Sequence, residues 1–263
     1  MPRIDPIDPV VSWPADEGTI GVVGVAPWAT LDFCRHVYSL VTAKRDWNYP
    51  RVLVDLNTKI PSRGRHLQLG ERDPSPFIAA TIEELAIQGA TVCVVPCNTA
   101  HILFDRWGRK APIPVLNIID AVVSRLTELE FRSAVILGSS SVIESRIYTD
   151  RLAPAGIAVK ESPLPQEFVT ECIESVKQTG QMTATQEQRI HQQFSSRSSD
   201  LKSAVVLACT ELSPITEVIG KEAVVDSNVE LARASLKAIG ILDRGRSWTS
   251  GPSSHAVASS NHS

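Results

Sequence analysis

Val94-Val95-Pro96-Cys97-Asn98-Thr99-Ala100-His101 reads as an apolar strand that stops at a proline, presents a cysteine followed by small polar residues, and runs into a helix. The chain does almost the same thing again at Val205-Val206-Leu207-Ala208-Cys209-Thr210-Glu211-Leu212. Strands of a parallel sheet are buried on both faces, so they read as continuous apolar, β-branched runs. Two such runs, each delivering a cysteine at its end, point to an α/β fold, which places ligands at the carboxyl edges of its strands.

The pattern extends outward from these runs in both directions. Further strands are expected at Ile20 to Val25, Arg51 to Leu56, Thr91 to Val95 and Val115 to Ile118. A second series follows at Ser133 to Gly138, Ile157 to Val159, Ala204 to Leu207 and Val224 to Asp226. Helical spacing falls between them, at Ala29 to Lys44, Pro76 to Gly89, from the fourth strand to about Glu130, up to about Leu152, Pro165 to Lys177, Thr185 to Ser195 and Asn228 to Gly240. Strands alternating with helices imply parallel sheets with right-handed crossovers. The repeated strand-cysteine unit divides the chain into two pseudo-symmetric lobes, each a mostly parallel four-stranded sheet flanked by helices, with the site in the cleft between them. Lobe 1 spans 18–125 and is completed by the strand and helix of 218–242, and lobe 2 spans 126–217. The segment 1–17, broken by Asp5-Pro6, Asp8-Pro9 and Trp13-Pro14, reads as an irregular lead-in. The Ser/Gly/His-rich segment 243–263 reads as a disordered tail, with His255 and His262 solvated.

A chain of 263 residues can bury a substantial core. Its net formal charge of −3 supplies no basic field for nucleic acid. No apolar run of about 18 residues offers a membrane span, and the N-terminus lacks the charged-then-apolar pattern of a secretion signal, so a cytoplasmic protein is expected. The five cysteines are scattered and form no CxxC pair, which argues against a disulfide scaffold. Cys34, Cys93 and Cys172 read as small buried hydrophobes.

Cys97 and Cys209 read differently because their context repeats. A thiol at a strand end before a helix meets unpaired backbone N–H groups and the positive end of a dipole, which favour the thiolate. Asn98, Thr99 and Thr210 add short donors that can hold a carboxylate beside the sulfur. A thiolate and a thiol on opposite walls of a cleft suit removal of a proton from one face of a stereocentre and its return to the other. The carbanion or enediolate formed between those steps requires oriented donors. Zinc is disfavoured: Cys93, Cys97 and His101 would align only on a continuous helix, and Val94-Val95-Pro96 interrupts it. A single nucleophilic cysteine assisted by His101 leaves Cys209 without a role.

These motifs resemble the PLP-independent aspartate/glutamate racemase family. The carrying residues are Pro96-Cys97-Asn98-Thr99-Ala100-His101 and Ala208-Cys209-Thr210-Glu211-Leu212, supported by Thr58-Lys59-Ile60-Pro61-Ser62-Arg63, Gly70 to Pro76 and Val225-Asp226-Ser227. The resemblance covers Thr19 to about Leu242. It implies a Cys97/Cys209 acid-base pair, no cofactor and no metal, a homodimer and an acidic amino acid, aspartate foremost, as substrate. It further implies that Asn98, Thr99 and Thr210 bind the α-carboxylate and amino group, and that Arg63 and Lys177 bind the side-chain carboxylate. Bidentate guanidinium and point-charge ammonium chemistry suit that last role.

The chain departs from the family pattern in two places. Val25-Ala26-Pro27-Trp28 is shorter and stiffer than the usual glycine-rich loop, and it is expected to line the cleft. Ser141-Val142 stands where Gly-Thr is usual, so that Ser139, Ser140 or Ser141 is expected to supply the missing hydroxyl. Two other readings keep the fold: a cysteine-dependent isomerase or decarboxylase of a dicarboxylic acid, and a non-catalytic protein that binds an acidic ligand.

Overall fold

The computed structural model describes residues 17–195, 203–220 and 223–242, so most of the expected lead-in and the whole tail lie outside the described residues. β1 (Ile20–Gly24) is buried along its whole length, which is why its sequence shows no polar alternation. Pro27 opens α1 (Pro27–Ser39), where a missing N–H costs nothing and φ is preset. That helix ends short of Lys44 and buries Ala29, Thr30, Phe33 and Val37. β2 (Val52–Leu56) leads into α2 (Arg63–Leu69), a helix that Pro61 and Gly64 disguise as loop. Ser62 caps it by accepting from the Arg65 amide at 3.3 Å, and Gly70, at φ 67°, closes it. α3 (Ser75–Ile87) and β3 (Val92–Val94) follow, and the first sheet is parallel in the order β2-β1-β3.

Among the described residues this first sheet has three strands, and the expected fourth is reduced to one bridge between Val115 and Cys93. Pro112 and Pro114 have no N–H to give a ladder. Asn117 then turns the chain to cap α5 (Ile118–Glu128), accepting from the Ile119 and Asp120 amides at 2.9 and 3.4 Å. Between β3 and that bridge lie a 3₁₀ stretch, Asn98–Leu103, and α4 (Phe104–Trp107).

β4 (Ser133–Gly138) is the buried centre of the second lobe. The helix expected after it is two short pieces, α6 (Ser140–Glu144) and α7 (Ile147–Leu152), separated by Arg146 in the left-handed region at φ 57°. β5 (Ala158–Lys160), α8 (Gln166–Thr179), α9 (Ala184–Ser195), β6 (Ser203–Ala208), α10 (Ile215–Ile219), β7 (Val224–Asp226) and α11 (Ser227–Ala238) complete the described chain. The second sheet is parallel in the order β5-β4-β6-β7.

The last strand therefore corrects the expectation that it returns to the first lobe. β7 pairs with β6, Val206 opposite Val225, because the outer edge of β3 is already occupied by Val115. Asp226 caps α11 by accepting from the Asn228 amide at 2.8 Å, and only this helix crosses back. It packs on α1 and α5, where Asn228 donates to Ala29 O at 3.2 Å and to Asp32 Oδ2 at 3.3 Å.

One apolar cluster joins the two sheets: Ile20, Val22 and Val94 meet Ala134, Ile136 and Val206 through Ile118, Val122, Leu231 and Leu236. Each such aliphatic side chain contributes roughly 1.5–3 kcal/mol by leaving water. The outer faces are covered by α3 on the first sheet and α8 on the second. The carboxyl ends of β3, β4 and β6 deliver residues to one cavity. Among the described residues no helix is long and apolar enough to cross a membrane.

Candidate active site

Cys97 and Cys209 end their strands in the same manner. Each has extended backbone, φ −160° and −145°, and each stands immediately before a 3₁₀ turn, Asn98–Leu103 and Thr210–Leu212. These are 3₁₀ turns, not the α-helix expected after Cys97, so the dipole at the sulfur is that of a short turn. The first amides of each turn still have no partner within it.

The two turns wall one cavity of about 180 Å³, the scale of a small metabolite. It is lined by Cys97, Asn98, Thr99, Ser139, Ser140, Ser141, Cys209, Thr210, Arg63 and Lys177, the side chains expected to be catalytic or substrate-binding. Contacts cross between its walls. Thr99 Oγ1 lies 3.1 Å from Ser139 Oγ, and Thr210 Oγ1 lies 3.2 Å from Pro96 O. Ser139 thus supplies the hydroxyl beside Thr99, while Val142 is buried in the shared core.

Asn98 lines the cavity and is also tied into its walls. Its carboxamide donates to Ser227 Oγ at 2.8 Å and accepts from Tyr148 OH at 2.5 Å, and it is 2% exposed. One carboxamide N–H, one oxygen lone pair and the backbone N–H remain beside the cavity. Arg63 donates to Pro61 O and Val25 O, both at 3.3 Å, and its buried Nε has no partner among the described residues. Lys177 Nζ is paired with Glu174 Oε1 at 2.8 Å. The Val25 to Trp28 loop does not line the cavity as expected; it stands behind it. Val25 O holds Arg63, and the Trp28 indole covers Gly180, where an added Cβ would meet it at 3.1 Å, just past the Lys177 turn of α8.

Residues 20–235 match the family model for Asp/Glu/hydantoin racemase. The chain belongs to this family. A curated relative, the broad specificity amino-acid racemase RacX of Bacillus subtilis (strain 168), is 25% identical over 228 residues, which cover 82% of this chain and 96% of that protein. The solved Picrophilus torridus aspartate racemase is 28% identical with a TM-score of 0.76, covering 85% of this chain and 94% of that one. Glutamate racemase from Francisella tularensis, solved in complex with D-glutamate, shares the fold at 19% identity and a TM-score of 0.59, over 85% of this chain and 81% of that one. The protein is accordingly a PLP-independent amino-acid racemase, an isomerase.

The surroundings of Cys209 in this racemase oppose its thiolate. Cys209 is buried, and its Sγ donates to Glu211 Oε2 at 3.1 Å. Burial, then the Glu211 charge and hydrogen bond, then Cys97, push the Cys209 thiol well above the ordinary range. The thiolate-favouring turn expected for Cys209 is therefore outweighed by desolvation and a neighbouring carboxylate. Burial opposes the charge on Lys177, yet the Glu174 bond and the Glu211 charge hold its ammonium above its usual value.

His101 lies outside the cavity. Its Nδ1 donates to Cys97 O at 2.9 Å, and its ring stacks on Phe104 with centroids 5.6 Å apart. Burial lowers its pKa to about 4, so it is a neutral strut bonded to the cysteine's carbonyl and not to the thiol. Burial pushes Cys93 up to about 12 and Cys172 up to about 11, and neither lines the cavity.

Sequence reasoning missed Glu174, Glu211, Tyr148 and Ser227. The signal for Glu211 was local, an acid two residues past a cysteine on a turn. Glu174 lies one turn from Lys177 on α8, a spacing that foretells the pair. Nothing in the sequence connects Tyr148 or Ser227 to Asn98.

Proposed function

We propose that this racemase interconverts the L and D forms of an acidic amino acid, aspartate foremost, by proton transfer between Cys97 and Cys209 without a cofactor. The observation that carries the reading is that both strand-end thiols share one small cavity with Arg63 and Lys177. One thiolate takes the Cα proton, the electron pair passes into the α-carboxylate as an enediolate, and the other thiol returns a proton to the opposite face. The amides opening the two turns, with the hydroxyls of Thr99, Thr210 and Ser139 to Ser141, oppose the charge that develops on the carboxylate. Arg63 and Lys177 take the side-chain carboxylate, with the Arg63 Nε, unpartnered among the described residues, as one donor. We take the racemase to be a cytoplasmic homodimer, its first lobe being 18–125 together with α11.

The Picrophilus relative's name supports aspartate, and the Bacillus relative's name is the reason to test a panel. Amino acids incubated with the enzyme in heavy water should exchange the α-hydrogen, aspartate fastest, with no PLP added. Cys97→Ser and Cys209→Ser should each abolish inversion. A folded enzyme that exchanges no amino acid, or that tolerates loss of either cysteine, would overturn the proposal.

A further inference from the structure

Glu211 adds a carboxylate to a site whose substrate already brings two. It is 7% exposed, one residue past Thr210, and it lines the cavity. A buried carboxylate is costly unless a cation or a proton compensates it. Lys177 is near enough to feel its charge, but the ammonium is bonded to Glu174 at 2.8 Å. Thr210 Oγ1, at 3.3 Å, carries one proton and has a second acceptor, Pro96 O, at 3.2 Å. The remaining proton is that of Cys209, whose Sγ lies 3.1 Å from Glu211 Oε2.

We propose that Cys209 and Glu211 form one proton-holding unit, a single proton lying between Sγ and Oε2, so that Glu211 keeps Cys209 a thiol in the resting enzyme while Cys97 serves as the thiolate. This rests on the two-thiol reading above and deepens it. When Cys97 is the base, its thiolate takes the Cα proton and the C–H electron pair stays on the substrate. Cys209 then gives its S–H proton to the opposite face, where that pair forms the new C–H bond. Solvent afterwards returns a proton to Cys209 and takes one from Cys97. When Cys209 is the base, its proton first moves to Glu211, the S–H bond breaking as the O–H bond forms. From Glu211 that proton passes through solvent to the Cys97 thiolate, making it the thiol; the Cys209 thiolate then takes the Cα proton and Cys97 donates on the other face, which restores the resting protonation. Glu211 acts through Cys209 and is a positioning residue. The upward push on the Cys209 thiol by burial and by Glu211 agrees with this arrangement.

Enantiomers have equal free energies, so kcat/KM is bound to be equal in the two directions whatever Glu211 does. Its effect appears in the thiol titration and in kcat and KM taken separately. The test follows alkylation of Cys209 by iodoacetamide against pH in the full chain, read by peptide mass, for the wild type and for Glu211→Gln. The midpoint should fall by about one pH unit or more, roughly tenfold more thiolate at a given pH below it. The ratio of kcat values for the two enantiomers should change while the kcat/KM values stay equal. An unmoved Cys209 midpoint in the folded variant overturns the proposal. Should the glutamine variant not fold, Glu211→Asp, which retracts the charge by one methylene, should give a smaller drop, and an unmoved midpoint there is equally fatal. The titration needs no turnover. A shifted midpoint in a protein that racemises nothing refutes the proposed function alone, and an unmoved midpoint in an active enzyme refutes the proton-holding unit alone.

Discussion

Replacing Asn98 with alanine decides whether its carboxamide serves the substrate or the fold. The carboxamide joins the Cys97 wall to Tyr148 on α7 and to Ser227 at the start of α11, through bonds of 2.5 and 2.8 Å. Both partners are buried, Tyr148 at 2% and Ser227 at 0% exposure. Each buried polar group stranded by truncation costs about 1–3 kcal/mol, so the two together set a ceiling of about 6. Tyr148 and Ser227 are close enough to hydrogen-bond each other once Asn98 is gone, which recovers part of that. The expected loss is about 2–4 kcal/mol, or roughly 5–15 °C in Tm for a chain of this size. Urea and thermal melts measure it. Tyr148→Phe should cost less, and the double variant should fall short of the sum by about 0.5–3 kcal/mol, since both changes break the same bond. An Asn98→Ala protein within about 0.5 kcal/mol of wild type, with only its KM raised, would show that the carboxamide binds substrate and refute the clamp.

Arg63→Gln and Lys177→Met should each raise KM for aspartate by roughly 10–100-fold, the worth of a charge-assisted hydrogen bond, and should change turnover of amino acids with uncharged side chains far less. Equal effects on both substrate classes would remove these residues from the side-chain subsite. Stability between pH 7 and 4 should depend on two buried groups of opposite sign. The pKa of His101 is depressed in the folded state, to about 4, by burial, so the unfolded chain binds more protons and stability is lost as pH falls through this window. Burial raises Asp226 to about 6, so its protonation favours the folded state and partly offsets that loss as pH falls. Denaturant melts of Asp226→Asn should therefore lose stability more steeply than wild type from pH 6 to 4, and parallel curves would count against the assignment.

The strands were legible because burial on both faces leaves a local mark, an unbroken apolar run, as in β1, β4 and β6. The residues of the candidate site were legible for a related reason. Ligand-facing residues of a parallel sheet sit where such a run stops, so Cys97 to Thr99, Ser139 to Ser141 and Cys209 to Thr210 could each be found without knowing their neighbours. Errors arose where a distant partner decided the outcome. Val115 forms one bridge and not a strand, which leaves β7 to pair with β6. Arg146 breaks a helix whose spacing runs through it.

What the amino-acid sequence determined by itself was therefore the alternation of elements, the pair of strand-end thiols and the identity of the residues around them, because each depends on short-range backbone preference and apolar periodicity. Only the tertiary structure decided how those residues are used. Folding buried Asn98 between Tyr148 and Ser227, tied Arg63 to the shortened loop at Val25, paired Lys177 with Glu174, and set Cys209 against Glu211. Hydrogen bonds and charge interactions act within a few ångströms of space, whatever the distance along the chain. Two cysteines in nearly identical sequence contexts thus acquire different neighbours once the chain has folded.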